Sequence, residues 1–427
     1  MPLPASPPAP PDHPQRLMLA NEVHARPIEP LSVPGRVTYI AVLVEPAERT
    51  AEQGQLAALC ERHGVGAPPT DAIHYSVQLG AFRLRWEKHT EFSSYAFHGV
   101  GAPPADWLAA IPGRTLVAAS VDVRSRSQPE PGAAQIASLF EHNDVVGSDL
   151  GEGAAHVFTD FRIHADGFIR FAVFDRGLSR RQAGRTVQRL LEIETYRMLA
   201  LLALPVARSA APDLRGMERE LASLAAMIAG HAGTSEQALE ALAGLAARVE
   251  TAVAESRFRF GAARAYYDLV LARIAELREQ RLPGTETLGE FMERRLAPAM
   301  ATCESVARRQ IELSERVART SNLLSTQVGI AREQQNSELL ASMNRRGRLQ
   351  LRLQETIEGL SVIAITYYAV GLVGYAAKAL ANAGWPIEPE IAMGVSIPVV
   401  ALLAALALRY VRRTIIRDER NAARPPG

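Results

Sequence analysis

Two uncharged apolar runs near the C-terminus, Gly359–Ala377 and Ile391–Leu408, constrain this chain more than any other feature. Each is about as long as a helix must be to cross roughly 30 Å of hydrocarbon. Leaving two such runs in water is costly, and a soluble core seldom absorbs two in succession. The expectation is a helical hairpin in a bilayer, closed by the loop Lys378–Glu390.

Orientation follows from arginine placement. Arg345, Arg346, Arg348 and Arg352 precede the first run, and Arg409, Arg412, Arg413 and Arg417 follow the second. The loop has one Lys against Glu388 and Glu390. Basic residues stay inside, which predicts a bacterial inner-membrane protein with both termini cytoplasmic and the loop outside. Trp385 sits where an amphipathic ring marks the outer interface, and Tyr410 can do so inside. Met1–Pro14 is rich in Pro and Ala and lacks the apolar stretch of a signal peptide. Cys60 and Cys303 are the sole cysteines, too few for a disulfide framework and in keeping with a reducing compartment.

The net charge of +1 excludes little. Nucleic-acid binding calls for a basic stripe interleaved with aromatics. Here Arg and Glu alternate along presumed helices, the pattern of solvated faces with i,i+4 pairs, so no nucleic-acid partner is expected.

The chain divides into a Pro-rich tail (1–16), an α+β domain (17–178), a helical region (179–298), a long stalk helix (299–358), the first span (359–377), the outer loop (378–390), the second span (391–408) and a basic tail (409–427). In the α+β domain, Val37–Val44 is a β-rich run and Ala47–His63 a helix. Ile73–Leu79 and Ala81–Phe97 read as strands separated at Gly80, Asp106–Ile111 as a short helix and Thr115–Val123 as another strand. That succession is βαββαβ, the pattern of a ferredoxin-like sheet. Ala155–Ile163 and Gly167–Phe174 form a hairpin about Asp166–Gly167. Ser179 is set to cap a helix running to Leu204 and ended by Pro205, with Pro212–Gly230 and Ser235–Arg281 helical after it.

No proline occurs between Ala299 and Trp385. One helix over that stretch would reach about 130 Å at roughly 1.5 Å per residue. Its polar part carries a sparse apolar stripe (Val317, Leu324, Val328, Leu339, Met343, Leu353, Ile357), which predicts packing on neighbouring helices or on other copies of the chain. Gly329 and Gly347 are where it would bend.

Four words, Asn21–Pro27 (NEVHARP), Trp86–Phe92 (WEKHTEF), Leu191–Met198 (LEIETYRM) and Glu358–Tyr368 (EGLSVIAITYY), resemble a bacterial family of predicted membrane-anchored proteins catalogued only as a domain of unknown function. The resemblance runs from about Leu17 to Arg413 and implies a membrane anchor, with no reaction or substrate. The order of parts is also similar to that of CorA-type magnesium channels, homopentamers whose first span ends in Gly-Met-Asn. Here the comparable stretch is Gly371–Ala377 (GLVGYAA), without the Met or the Asn, so magnesium selection does not carry over.

Three groups of residues could carry chemistry. Strand periodicity puts Glu87, His89 and Glu91 on one face, and an imidazole between two carboxylates suits a divalent transition metal, more so with Glu22, His24 or His74 alongside. The plain alternative is a salt-bridged strand face. Asn21, Glu22, His24 and Arg26 offer a mixed ligand or interface set, with Arg26 fitted to an anionic group. In the spans, Thr366, Tyr367, Gly371 and Gly374 could line a pore or let helices pack closely. No Asp, Glu, Lys, Arg or His interrupts either run, and no catalytic motif stands out. The sequence thus predicts a non-enzymatic, membrane-anchored homo-oligomer that scaffolds or assembles. A CorA-like channel and a metal-dependent enzyme centred on Glu87, His89 and Glu91 are the alternatives.

Overall fold

The computed structural model describes residues 10–17, 19–20, 28–128, 131–230, 234–384, 386 and 388–422. Asn21, Glu22, His24, Arg26 and Trp385 lie outside the described residues. The chain forms two compact units, Met1–Asn322 and Leu323–Gly427.

The first unit is built on a mixed sheet. Strand β1 (Gly35–Leu43) is rich in β-branched and aromatic residues and is buried on both faces, as a central strand must be. Helix α1 (Arg49–Arg62) follows, then β2 (His74–Leu79), which turns at Gly80 with φ 58° into β3 (Phe82–Lys88). The expected single strand Ala81–Phe97 is in fact two, because the chain reverses after Lys88 and returns as β4 (Phe92–Gly99). Three polar residues in succession, His89, Thr90 and Glu91, break the alternation that a half-buried strand needs. The His89 amide donates to the Phe92 carbonyl at 2.8 Å and closes the turn.

That extra reversal changes the topology. β2, β3 and β4 become a meander that comes back antiparallel beside β1, so the four-stranded ferredoxin-like order does not form. After α2 (Ala105–Ala109) come β5 (Arg114–Arg124), α3 (Ala133–Leu139), β6 (Val146–Leu150), β7 (Ala155–Thr159) and β8 (Ile169–Asp175). A two-residue β9 (Gln280–Arg281) closes the sheet, whose order is β2-β3-β4-β1-β5-β8-β7-β6-β9. Only β5 and β8 pair in parallel among these strands. The expected β7–β8 hairpin is present, with Gly167 at φ 84° and the Phe168 amide on Asp166 Oδ1 at 3.0 Å.

One face of the sheet packs Ile40, Val42, Leu84, Trp86 and Phe97 against Leu56 and Leu59 of α1 and Trp107 of α2. The other receives α4 (Arg180–Leu201), which lies against β1 and β5. Ser179 caps α4 as expected, and Gln182 completes a capping box. The helix stops at Leu201 rather than Leu204. Pro205 instead falls in the first turn of α5 (Ala203–Ala229), where a missing amide is tolerated, and Pro212 sits inside α5. Helix α6 (Ser235–Leu277) packs on both α4 and α5 and ends where Arg278 turns left-handed at φ 49°. Helix α7 (Leu288–Arg295) precedes the long helix.

Helix α8 (Ala297–Asn382) is unbroken over 86 residues, and neither Gly329 nor Gly347 interrupts it. Within the second unit it is followed by α9 (Pro389–Ala422). The two helices are long and apolar enough to cross a membrane. Their apolar windows have mean hydropathy 1.7 and 2.1, of which 11% and 0% are buried.

Candidate functional site

The β3–β4 turn is held from the core side by one buried acid. Glu52 on α1 accepts from Trp86 Nε1 and from the Tyr95 hydroxyl, both at 3.0 Å, and pairs with Arg49 at 3.0 Å. Arg49 also donates to Ser93 Oγ at 2.7 Å and to the His89 carbonyl at 3.3 Å, fixing both ends of the turn. Burial, reinforced by Glu52, pushes the Tyr95 phenol well above its ordinary range.

On the opposite face the even spacing of Arg83, Arg85 and Glu87 lines up three charges, of which Arg85 and Glu87 lie beneath α4 while Arg83 is exposed. Arg85 grips Glu87 Oε1 through Nε at 3.0 Å and Nη2 at 2.5 Å, and donates to Gln188 Oε1 at 3.1 Å. Gln188 passes the chain on to Glu192 Oε1 at 2.7 Å, and Glu192 pairs with Arg273 of α6. Sheet, α4 and α6 are thereby tied by a continuous polar line. Burial works against the Glu87 charge, yet bonding to His89 and the Arg85 cation outweigh it and bring its pKa down to about 2.

A cavity of about 60 Å³ lies between this line and the sheet, walled in part by Arg85, Glu87, His89, His98 and Gly184. Both His98 ring nitrogens are buried and have no hydrogen-bond partner among the described residues. Desolvation lowers the His98 pKa to about 4; Glu29 opposes the shift, while Arg85 and Arg83 add to it. Glu29 itself bonds Ser76 Oγ at 2.5 Å and Arg83 at 2.9 Å. Its carbonyl passes so near Gly184 that a Cβ there would lie 2.0 Å away, so α4 can take this position only with glycine.

Beyond the turn opens a second cleft of about 520 Å³, lined by Ile73, Lys88, His89, Phe92, Tyr196 and Tyr266 among others. His89 stacks on Phe92 with centroids 4.1 Å apart, and Tyr196 stacks on Tyr266 at 5.8 Å. Glu91 faces α6, where it accepts from Arg259 at 2.6 Å and from the Tyr266 hydroxyl at 2.9 Å. Burial and that bond to Glu91 raise the Tyr266 pKa.

The expected Glu87, His89 and Glu91 face is therefore not a strand face. His89 approaches Glu87 at 3.7 Å, but Glu91 sits in the turn and belongs to α6. Among the described residues no group of three or more His, Cys, Asp or Glu is placed to hold a metal ion. His74 stands across the β2–β3 ladder from Glu87. Sequence reading passed over Arg85, His98, Gln188 and Arg259. Alternation along β3 exposes Arg85, and the register Arg83↔His98 reveals His98, but both signals need the β3–β4 pairing first.

In the second unit, Thr366 Oγ1 donates to the Val362 carbonyl of its own helix at 2.7 Å. Tyr367 is exposed. Gly374 meets α9: a Cβ there would lie 2.5 Å from Met393 Sδ, whereas Gly371 has open space. Thr366, Tyr367 and Gly371 line an apolar groove of about 810 Å³ between α8 and α9, with Met393 and Ile397.

The words Trp86–Phe92 and Leu191–Met198, more than ninety residues apart, thus meet at one place. A family model described as "Protein of unknown function (DUF3422)" matches residues 11–415. The chain belongs to this family. No curated protein matches the chain. The likeness of this DUF3422 protein to CorA-type channels, drawn from the order of its parts alone, gains no support from these comparisons.

Proposed function

We propose that this DUF3422 protein is anchored in the bacterial inner membrane by a hairpin of α8 and α9 and holds its sheet unit on the cytoplasmic side as an assembly platform. The observation that supports the reading is the exposure of the two apolar windows, 11% and 0% buried, whereas the core helix of a soluble protein is mostly buried. Such surfaces are stable where hydrocarbon replaces water. The arginines that flank both runs, against one lysine in the loop, support the inward orientation. Exposed Leu339, Met343, Leu353 and Ile357 share one ridge of α8 and support self-association along that helix.

Cysteine labelling tests anchor and orientation together. The two native cysteines are buried, which keeps the background low. An impermeant maleimide added to intact spheroplasts should label Ala383→Cys, and should reach Ser342→Cys only after lysis. Labelling of Ser342→Cys first, or of neither before lysis, contradicts the arrangement. For assembly, the mass in nanodiscs should exceed one chain, and a uniform monomer refutes it.

A further inference from the structure

Around the β3–β4 turn the carboxylates already have cationic partners: Arg85 holds Glu87, Arg259 holds Glu91 and Arg273 holds Glu192. The groups left without partners are donors. Lys88, on the wall of the 520 Å³ cleft, makes no ion pair among the described residues. Arg259 Nη1 is buried and has no acceptor among them, about two helical turns from Tyr266 on α6. Arg259 is not on the cleft wall, so the donor open to a molecule that enters there is Lys88, half-buried and without an acceptor of its own.

The cleft also has walls of a definite kind. The His89–Phe92 pair is parallel to within 11° and the Tyr196–Tyr266 pair to within 17°. Two stacked ring pairs from different elements, the turn on one side and α4 with α6 on the other, border the same space. Ile73 and Leu269 supply its apolar remainder. The volume is in the range of small-molecule sites. Flat rings offer π-faces for offset or edge-on stacking, and an ammonium offers a point charge for an acid. A cation would find ring faces but no free carboxylate on the cleft wall, and Lys88 repels it.

We propose that this cleft is a binding site for a planar aromatic molecule that carries an anionic group, its ring against the aromatic walls and its acid on Lys88. The site is independent of the membrane reading, because its residues all lie in the first unit.

The test uses the full chain purified in detergent, 2-naphthoate as probe, equilibrium dialysis as readout and protein-free micelles as blank. 2-Naphthamide has the same shape without the charge. Saturable 2-naphthoate binding is expected in the millimolar range or tighter. The amide should bind about tenfold more weakly, and Lys88→Gln should weaken the acid by about tenfold while leaving the amide unchanged, as loss of one charge-assisted hydrogen bond predicts. Leu269→Trp, which fills the cleft, should abolish binding of both. Absence of saturable binding overturns the proposal. So does equal affinity for acid and amide, or a Lys88→Gln protein that binds the acid as before. Lys88 has no side-chain partner to lose, so that variant decides the matter even if Leu269→Trp fails to fold.

Discussion

Glu52→Ala should be among the most damaging single changes near the site, and its cost can be worked from the contacts. The carboxylate is 1% exposed and accepts from Trp86 Nε1, the Tyr95 hydroxyl and Arg49. Truncation leaves two neutral donors buried, at about 1–3 kcal/mol each when wholly orphaned. It also strands Arg49, and breaking a buried pair costs about 3–5 kcal/mol. These terms overlap, since Arg49 remains 19% exposed and keeps Ser93 and the His89 carbonyl. The net expectation is about 3–5 kcal/mol. Glu52→Gln keeps a carbonyl oxygen for Trp86 and Tyr95 but turns its NH2 toward Arg49, so it loses the bond to Arg49 alone, about 1–2 kcal/mol. Urea unfolding of the full chain in detergent, followed by tryptophan fluorescence with Trp86 as a core reporter, gives both values from the midpoints. A loss below about 1 kcal/mol for Glu52→Ala, or equal losses for the two variants, would refute the claim that this acid fastens the turn.

Three further outcomes follow from the same geometry. His98 has its pKa lowered from 6.5 to about 4, so its contribution to stability is complete above pH 6.5 and is lost as pH falls toward 4; Glu87, lowered from 4.5 to about 2, loses its own only below about 4.5. Between pH 7 and 4.5 the wild type should therefore lose about 2 kcal/mol that a His98→Leu variant does not, and identical drops in urea midpoint would contradict this. Gly184→Ala drives a methyl against the Glu29 carbonyl at 2.0 Å and should cost about 1–3 kcal/mol or displace the strand of chain at Glu29, read by thermal melting; an unchanged melt would count against the close approach. By contrast, Gly374→Ala meets the flexible end of Met393 and should cost less than about 1 kcal/mol, measured as resistance of the α8–α9 pair to heating in micelles.

Local signals carried much of the architecture. The Asp166–Gly167 hairpin, the Ser179 cap and the proline-free run that became α8 were each legible because a turn, a cap or the lack of a breaker acts within a few residues. The strand order was not. Whether Ala81–Phe97 is one strand or two depends on a three-residue turn, and a single reversal flips the direction in which β4 meets β1. The short β6 and β9 also went unread, since β6 (VGSDL) shows no clean apolar alternation and a two-residue strand has no periodicity to read. Proline was over-read at Pro205, where a first-turn position removes the penalty.

At the site, sequence drew attention to Glu87, His89 and Glu91 because ionisable residues at alternate positions suggest one face. Tertiary contacts divided them. Arg85 took Glu87, while α6, over 160 residues later in the chain, took Glu91. Long-range partners of this sort have no local trace, which is why Arg259 and Tyr266 could not be anticipated.

The central claim is that the C-terminal helices reside in lipid, and carbonate extraction measures it most directly. Membranes from cells making the full chain, washed at alkaline pH and centrifuged, should retain the protein in the pellet and release it only with detergent. Recovery in the carbonate supernatant would contradict the anchor.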